Sequence, residues 1–370
     1  MLSLTKGGVI IRDLSTGKGK FPSDFCTYKI VSSGQIIFCL FDIDETPRTV
    51  GLSRHNGMIT GAYDVFSIEN ANPRFIEHYF LAIDDIKGLK PYYTGLRKTV
   101  SMDKFLNITV PLPPRDEQDQ IVRYLDWKVS QINKLINAKR RQIALLAEQR
   151  HKTIKNAVRY ADGCRKCKLK NLATFKSGTN LTSLQIETVG DYPVYGGNGL
   201  RGFYPEYSHS GEYLLVGRQG ALCGNVHYVN GQFWPTEHAI AVKPHDLAHI
   251  KWLYYLLIDM NLNQYSLAAA QPGLSVEHVV NLPAYFPTFE KQKVIANYLD
   301  QQCANIDKII SKLNDEITLI TEYCTRLISD AVTGKLDVHG VTMPKYEVVE
   351  DISANIEDLA NNEDDLEELV

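Results

Sequence analysis

The most regular pattern of apolar side chains lies between residues 306 and 331, where they recur alternately four and three residues apart. An average spacing of 3.5 residues is typical of a helix that packs its apolar stripe along a second helix. The pattern therefore predicts a long amphipathic helix with a helical partner. Its seam positions are Ile306, Ile310, Leu313, Ile317, Ile320, Cys324, Leu327 and Ala331.

This helix has a counterpart earlier in the chain, because residues 113–158 match residues 287–332 at a fixed offset of 174 positions without a gap. Fifteen of the 46 aligned pairs are identical, including Tyr-Leu-Asp at 124–126 and 298–300. The seam of the first copy contains polar residues, which favours pairing with the more apolar second copy over self-association. We therefore expect an intramolecular antiparallel helix pair. The polar seam residues are Lys139, Arg150 and Thr153.

Short apolar runs broken by Gly, Pro, Ser, Asn and Asp precede each long helix, and such runs predict strands of mixed α/β domains. The same offset extends into these regions, since it pairs Ser101 with Ser275 and Asn107 with Asn281. The duplicated part is therefore a domain together with its helix. The predicted strands lie at 9–11, 36–41, 63–68, 212–216 and 239–242, and the predicted shorter helices at 75–86 and 248–259.

The expected fold class is α/β (α+β), with two mixed α/β domains separated by two long helices that form an antiparallel coiled coil. The start of the first domain is expected to be incomplete, because residues 169–174 of the second domain correspond to positions before Met1. The expected segments are a first domain at 1–112, a central spacer helix at 113–160, a second domain at 161–286, a distal spacer helix at 287–338 and a disordered acidic tail at 339–370.

The length and amino-acid composition indicate the broad class of protein. With 370 residues, of which 44% are hydrophobic and 22% charged, the chain is long enough for two or more globular domains. No apolar run approaches the roughly 18 residues of a membrane span. Residues 1–20 lack the apolar core of a signal peptide. We therefore expect a cytoplasmic protein.

Charge is unevenly distributed along the chain. Residues 347–370 contain ten Asp and Glu and no Lys or Arg, so the remaining residues carry 40 basic against 33 acidic side chains. Eleven Lys and Arg lie between Lys139 and Lys170, with two acidic residues among them. This basic stretch is a candidate for binding phosphate groups, with a solvated helix face as the alternative. The acidic tail is interpreted as solvated rather than as an arm that mimics DNA.

The sequence contains partial matches to catalytic and cofactor-binding motifs, but the residues around each match do not fit the motif. Residues 197–202 fit G-x-G-x-x-G, but Phe203-Tyr204-Pro205 follows where a nucleotide-binding helix would begin, so we expect a glycine-rich turn. Asn72-Pro73-Arg74-Phe75 has only part of the Asn-Pro-Pro-aromatic loop of DNA methyltransferases and is interpreted as a turn. Cys164 and Cys167 lack a second ligand pair at zinc-finger spacing. These features favour a binding protein without a metal or cofactor of its own.

The repeated motifs resemble those of the specificity subunit of type I restriction-modification systems. Each long helix carries Gln, then Tyr-Leu-Asp, an Ile-x-Lys-x-Ile core and a closing Ala-Val. Residues 331–338, Ala-Val-Thr-Gly-Lys-Leu-Asp-Val, are similar to the end of that family's distal region. Residues 192–197, 217–220 and 232–236 resemble one type of its target-recognition domain. The resemblance covers nearly all of residues 1–338.

The resemblance implies a non-catalytic subunit whose two target-recognition domains each read one half of a bipartite, asymmetric site in double-stranded DNA. It also implies two methyltransferase subunits as partners, restriction subunits in the full complex, and S-adenosylmethionine held by the methyltransferase subunits rather than by this chain. From residue 132 to 157 a helix rises about 38 Å, close to the ~34 Å of one B-DNA turn, so the spacer helices are expected to set the half-site spacing.

Candidate DNA contacts are long polar side chains on loops and the basic part of the central spacer helix. In the second domain, Arg218 and Gln219 lie between two glycines after a predicted strand, where they can reach base edges or phosphates. Asn198 and Arg201 occupy a neighbouring loop. The candidates are Arg218, Gln219, Asn198 and Arg201 in the second domain, Arg97 and Lys98 in the first, and Lys139, Arg140 and Arg141 on the helix.

The residues alone leave two other functions open. One is a coiled-coil adaptor that joins proteins without binding nucleic acid, and the other is a self-contained DNA methyltransferase or nuclease. Failure to bind duplex DNA together with its partners would indicate the adaptor. Methylation by the purified chain would indicate the enzyme, although the absence of a catalytic motif argues against it.

Overall fold

A computed structural model describes residues 1–12, 25–95, 98–159, 163–220, 222–266 and 273–349. The chain divides into two compact units. The first unit comprises Met1–Gln142 with Lys312–Val370, and the second comprises Ile143–Ser311. Each unit contains one α/β domain and part of both long helices. In the described part of the chain, no helix is both long and apolar enough to cross a membrane.

The domain of the first unit is built from short antiparallel strands and two helices. Its elements are β1 (Leu2–Thr5), β2 (Gly8–Ile11), β3 (Lys29–Val31), β4 (Ile36–Phe38), β5 (Val50–Leu52), β6 (Gly57–Ile59), β7 (Asp64–Phe66), α1 (Pro73–Asp85), a 3₁₀ turn (Lys90–Tyr92), β8 (Tyr93–Thr94), β9 (Thr99–Val100) and α2 (Met102–Leu106). The strands pair as β1-β2, β3-β6, β5-β4-β7 and β8-β9. The long helix α3 (Arg115–Arg159) follows.

The domain of the second unit is organised around one six-stranded sheet of order β11-β16-β14-β15-β12-β13. Neighbouring strands are antiparallel except β12 and β15, which are parallel. Its elements are β10 (Arg165–Lys168), α4 (Leu169–Leu172), β11 (Ala173–Ser177), a 3₁₀ turn (Ser183–Gln185), β12 (Tyr192–Gly196), β13 (Gly199–Tyr204), β14 (His209–Gly217), β15 (Val226–Pro235), β16 (Ala239–Pro244), α5 (Ile250–Asp259), a 3₁₀ turn (Leu262–Tyr265), α6 (Val276–Val280), β17 (Pro283–Phe286) and the long helix α7 (Phe289–Val332).

Aromatic side chains of the strands and short helices form the core of the first unit. The ring of Phe38 lies edge-on to the rings of Phe80 and Phe105, with centroids 5.0 and 4.7 Å apart. Leu125 of α3 and Ala331 of α7 are fully buried in the same cluster. The spacer helices are therefore part of this core, since their apolar stripes are covered by the domain and by each other.

The second unit places one helix against its sheet. Trp252 of α5 is fully buried and shares a cluster with Leu214 and Val242 of the sheet. Ile154 of α3 and Leu299 of α7 belong to the same cluster. The mixed α/β class and the long helices expected from the sequence are confirmed.

The repeated Ser and Asn positions cap the short helices that precede the long ones. The Ser101 and Ser275 hydroxyls accept hydrogen bonds from backbone N–H groups in the first turns of α2 and α6. At the other ends, the Asn107 and Asn281 amides donate to carbonyls one turn earlier, at 2.7 and 2.9 Å. The duplication at these four positions therefore reflects the need to satisfy backbone groups at helix ends.

The repeated glutamine joins each long helix to its domain. In the first unit, Gln118 Oε1 accepts the backbone N–H of Asn72 at 2.8 Å, and Gln118 Nε2 donates to Pro113 O at 2.8 Å. Asn72 is also the N-cap of α1, because its side chain accepts from the N–H groups of Arg74 and Phe75. The sequence Asn72-Pro73-Arg74-Phe75 is therefore a helix start, with Pro73 at its first position.

The second unit repeats this joint. Gln292 is fully buried, and its Oε1 accepts the backbone N–H of His249, the N-cap residue of α5, at 2.7 Å. Its Nε2 donates to Leu247 O and Pro287 O, both at 3.0 Å. One side chain thus forms hydrogen bonds with three backbone groups at this junction, which are the N–H of His249 and the carbonyls of Leu247 and Pro287.

The aspartate of each Tyr-Leu-Asp adds a second contact at the joint. Asp126 accepts from Arg74 Nε at 2.6 Å. In the second unit, Asp300 accepts from Lys251 Nζ at 2.5 Å and from the Tyr255 hydroxyl at 2.8 Å. Burial and the hydrogen bond to Asp300 raise the pKa of Tyr255, so its hydroxyl stays protonated and donates. Arg74 and Lys251 each lie two residues after an N-cap, which makes the two joints equivalent.

The two long helices run antiparallel in the first unit. Lys139 of α3 pairs with Glu316 of α7. Earlier on α3, Tyr124 lies near Tyr323, which comes later on α7. Residue numbers therefore fall along one helix as they rise along the other. Lys139, a polar member of the predicted seam, is partly buried by an ion pair between the helices.

The second unit shows the same antiparallel pairing. Arg150 Nε lies 3.3 Å from Asp307 Oδ1. Further along α3, Ile154 and Val158 share a buried cluster with Leu299, which comes earlier on α7. The expected antiparallel helix pair is thus confirmed in each unit. Two of its polar seam residues, Lys139 and Arg150, have their charges neutralised by acidic residues on α7.

Residues after α7 are held on α3 in the first unit. Gln120 Nε2 donates to Val341 O at 2.9 Å, and Ser130 Oγ accepts the backbone N–H of Val349 at 2.9 Å. The Asn133 amide also donates to Val349 O at 3.0 Å. This differs from the expectation of a disordered tail from residue 339, because polar side chains of α3 satisfy the backbone of residues 341–349. Residues 350–370 lie outside the described residues.

We expect Gln292→Ala to lower the free energy of unfolding of the second unit by about 2–4 kcal/mol. The substitution leaves one N–H and two carbonyls without their partner in a buried place, and each such group costs about 1–3 kcal/mol. Denaturant unfolding of the full chain, followed by circular dichroism, measures the change. Gln301→Ala is the control, because Gln301 is exposed on the same helix. Equal unfolding midpoints for the two variants would show that Gln292 does not stabilise this junction.

Candidate nucleic-acid interface

Loops from four places in the second unit converge beside the end of β14. The N–H of Arg218 donates to His238 O at 2.8 Å, and Arg218 O accepts from the N–H of Leu274 at 2.8 Å. The turn between β15 and β16 is tied to β12, because Thr236 N–H donates to Tyr195 O at 2.8 Å. The loop that carries Arg218 is therefore fixed by backbone hydrogen bonds on both sides, and its side chains are displayed from a rigid base.

Two glycines permit this convergence. A Cβ added to Gly217 would lie 2.2 Å from the carbonyl oxygen of Gly197. A Cβ added to Gly178, after β11, would lie 2.3 Å from the carbonyl oxygens of Pro235 and Thr236. Real Cβ atoms do not come so close to backbone, so these positions require glycine. The close approach brings the 197–198, 217–220 and 236–238 segments together.

The glycine-rich pattern at 197–202 is a hairpin turn, as expected. Gly196 of β12 pairs with Gly199 of β13, so Gly197-Asn198 forms a two-residue turn. Gly199 has a φ of +97°, which favours glycine. Asn198 is exposed at the tip, where its Oδ1 accepts from Asn225 Nδ2 at 3.3 Å.

The structure brings three of the predicted contacts of the second domain to this place. Arg218 Nη1 donates to Ser177 Oγ at 3.1 Å. The exposed Gln219 has its Oε1 2.7 Å from His238 Nδ1. Asn198 follows Gly197, whose added Cβ would lie 3.9 Å from Arg218 N. Several donors and acceptors therefore lie close together on neighbouring loops, an arrangement that can read base edges.

Arg201 lies on the same hairpin as Asn198. Its side chain crosses Gly196, since a Cβ added there would lie 2.5 Å from Arg201 Cδ. Arg201 is exposed, so its guanidinium is accessible to a phosphate or a base. Its role as a DNA contact stays a prediction.

Sequence reasoning missed four polar residues of this site, which are Ser177, Asn225, Glu237 and His238. They lie at the ends of strands rather than in a motif. The one available signal was the polar pair Glu237-His238 directly before the predicted strand at 239–242. Their proximity to Gln219 and Arg218 depends on the folding of the sheet.

In the first unit, the predicted contact Lys98 is engaged with acidic residues. Its Nζ lies 3.2 Å from Asp44 Oδ2 and 3.9 Å from Glu45 Oε1. Burial and a hydrogen bond to Asp44 raise the pKa of Tyr93 to about 12, so the Tyr93 hydroxyl remains a donor to that carboxylate. A lysine beside two carboxylates attracts phosphate less than an isolated one. Arg97 lies outside the described residues.

The three basic candidates on α3 differ in their surroundings. Lys139 pairs with Glu316 of α7 and its side chain is only 18% exposed, so it is little accessible to a phosphate. Arg140 is half-buried, and Arg141 is exposed. Arg141 is therefore the most accessible of the three for a phosphate. Within the described residues, no group of three or more His, Cys, Asp and Glu is gathered as metal ligands.

Comparison with protein families identifies two matching stretches. Residues 60–145 and 162–319 match the model described as type I restriction modification DNA specificity domain. The two stretches cover most of the chain. They include both joints, most of α3 and α7, and the loops around Arg218.

Known proteins show the same similarity. The chain is 35% identical over 253 residues to the type I restriction enzyme EcoprrI specificity subunit of Escherichia coli, which is 62% of this chain and 59% of that relative. The chain thus spans about three fifths of the length of that relative. A solved chain from a type I R-M system superposes with a TM-score of 0.67 at 16% identity, over 83% of this chain and 84% of that chain. The structural likeness concerns the fold.

Proposed function

The chain belongs to the family of type I restriction modification DNA specificity domains, and from this premise we propose that it is the subunit that selects the DNA sequence in a type I restriction-modification complex. It reads a bipartite, asymmetric site in double-stranded DNA. Each α/β domain reads one half of the site, and the pair α3 and α7 sets the spacing between the halves. The chain itself carries no catalytic role.

This proposal rests on one observation: the two joints are alike, whereas the two domains that they hold are different. Gln118 and Gln292, with Asp126 and Asp300, fix the two domains to the helices by equivalent contacts. The domains that they hold differ, because one has small antiparallel sheets and the other has a six-stranded sheet. A repeated frame with two unlike domains fits a reader of two unlike half-sites.

Partners follow from the same proposal. Two methyltransferase subunits bind the chain and carry S-adenosylmethionine, and restriction subunits complete the assembly. The EcoprrI relative is itself described as a specificity subunit of a type I restriction enzyme, which supports these partners. This chain contributes sequence selection, and the partners contribute the chemistry.

We expect Arg218→Ala to weaken recognition of one base pair in the half-site read by the second unit, by about 5- to 150-fold. A base contact contributes about 1–3 kcal/mol of discrimination. The complex with its methyltransferase subunits is expressed in cells, and the methylated positions are mapped by sequencing the genomic DNA. Recognition of the other half-site should not change.

Arg326→Ala is the matched control, because Arg326 is 82% exposed on α7 and its pair with Asp330 is a surface contact of little energetic value. Two identical half-sites in the wild-type map would contradict unlike readers. Methylation by the purified chain alone would replace the proposal with an enzyme. Absence of duplex binding by the complex would replace it with a protein adaptor.

A further inference from the structure

His238 lies between two side-chain oxygens in the second unit. Its Nδ1 is 2.7 Å from Gln219 Oε1, and its Nε2 is 3.2 Å from Glu237 Oε1. Glu237 and His238 occupy the turn between β15 and β16, whereas Gln219 follows β14. The three side chains form a chain of contacts that ends at an exposed amide.

The backbone holds this chain of contacts in place. The N–H of Arg218, next to Gln219, donates to the carbonyl of His238 at 2.8 Å. The N–H of Ala239 donates to Thr236 O at 2.9 Å, which closes the turn around Glu237 and His238. Both ends of the Gln219–His238 contact are therefore attached to the same hydrogen-bonded backbone, so the contact does not depend on a flexible loop.

The imidazole determines how the Gln219 amide is presented. A glutamine side chain that points into solvent can flip its amide, which exchanges the positions of its acceptor and its donor. Contact with His238 Nδ1 removes this freedom. A protonated Nδ1 must face the amide oxygen, which accepts, and cannot face the amide NH2, which only donates. Both atoms that face the ring are oxygens, so the ring donates from both nitrogens, from Nδ1 to Gln219 Oε1 and from Nε2 to Glu237 Oε1, and these two contacts fix its orientation.

We propose that His238 and Glu237 are positioning residues that orient the Gln219 amide for reading an A·T pair. The inference rests on the proposed function of the second unit as a DNA reader. A glutamine amide presents one acceptor and one donor at the spacing of adenine N6 and N7 in the major groove. The second lone pair of Gln219 Oε1 remains available for adenine while the first faces His238.

A purely structural role would give a different result. His238 and Glu237 are each partly exposed, with side-chain exposures of 40% and 36%, and an exposed pair of this kind contributes little to folding. Loss of His238 should therefore change which base is accepted without unfolding the unit. The half-site read by the first unit serves as an internal measure of assembly and folding.

The test uses the full chain in complex with its methyltransferase subunits and a duplex library with randomised half-sites. Methylated duplexes are sequenced to give the base preference at each position. His238→Ala and Gln219→Ala should relax the same A·T position about tenfold or more, and Glu237→Ala should relax it less. His238→Asn, whose amide can place a donor near the position of Nδ1, should restore most of the preference.

His245→Ala is the matched control, because His245 is an exposed histidine at the opposite end of β16 that also makes two hydrogen bonds. It should keep the wild-type preference. The inference is overturned if His238→Ala keeps the preference at every position, or relaxes a position that Gln219→Ala leaves intact. A wild-type complex that methylates no defined bipartite sequence would instead overturn the proposed function, and with it this inference.

Discussion

Replacing Gly217 with alanine should abolish recognition of the half-site read by the second unit. An added Cβ would lie 2.2 Å from Gly197 O and 3.0 Å from Leu222 O. These are backbone atoms, so the 197–198 and 217–220 segments must separate. Arg218 and Gln219 would lose their positions together, and the loss of these two proposed base contacts corresponds to about 100-fold or more in discrimination.

The methylation map of the variant complex measures this loss. Gly340→Ala is the control, because a Cβ there would meet nothing within 4 Å. The half-site read by the first unit should remain recognised in both variants. A Gly217→Ala complex that still methylates the wild-type sequence would mean that Arg218 and Gln219 do not select the base.

An insertion of four residues after Leu319 should abolish sequence-specific methylation when it is made in α7 alone. On one side of the insertion, Glu316 pairs with Lys139, and on the other side Leu327 is buried in the core of the first unit. Four extra residues displace these two contacts by about 6 Å and rotate one relative to the other by about 40°. The Glu316–Lys139 pair and the burial of Leu327 cannot both be kept while α3 has its normal length.

Matched insertions of seven residues, after Leu135 in α3 and after Leu319 in α7, should instead keep the complex active on a longer site. Both positions are exposed, at 47% and 63%, and they lie at about the same level along the helix pair in the register given by Lys139 and Glu316. Seven residues preserve the seam, and they lengthen both helices by about 10 Å at ~1.5 Å per residue. At ~3.4 Å per base pair this is about three base pairs of additional spacer.

The methylation map gives the spacer length directly, and the two half-site sequences should be unchanged. An active complex with the original spacer after the matched insertions would show that helix length does not set the distance. An active complex after the single insertion would show that the register between α3 and α7 is not required.

The sequence by itself determined the repeated frame. The apolar spacing from Ile306 to Ala331 and its repetition earlier in the chain predicted two long antiparallel helices, because only a helix with a helical partner keeps a stripe of period 3.5. Local propensity and turn residues gave part of each domain, namely the strands β2, β4, β7, β14 and β16 and the helices α1 and α5. The resemblance of the same repeats to a known family was then confirmed.

Local patterns did not reveal what the repeated polar residues do. Gln118 and Gln292 were recognisable only as identities, and their partners at Asn72 and His249 lie in a different element, far away in the sequence. The prediction for Lys139 failed to foresee its partner for the same reason, since Glu316 lies on the other helix. Hydrogen-bond partners that are distant in sequence cannot be read from composition or spacing.

Only the tertiary structure decided how the candidate interface is composed. Arg218, Gln219 and Asn198 could be chosen from the sequence because glycines mark their loops. His238 and Glu237 could not, because their proximity to Gln219 arises when the strand ends converge at Gly217 and Gly197. Strand order and sheet curvature are set by long-range pairing and close backbone contact, and neither leaves a signal in the neighbouring residues.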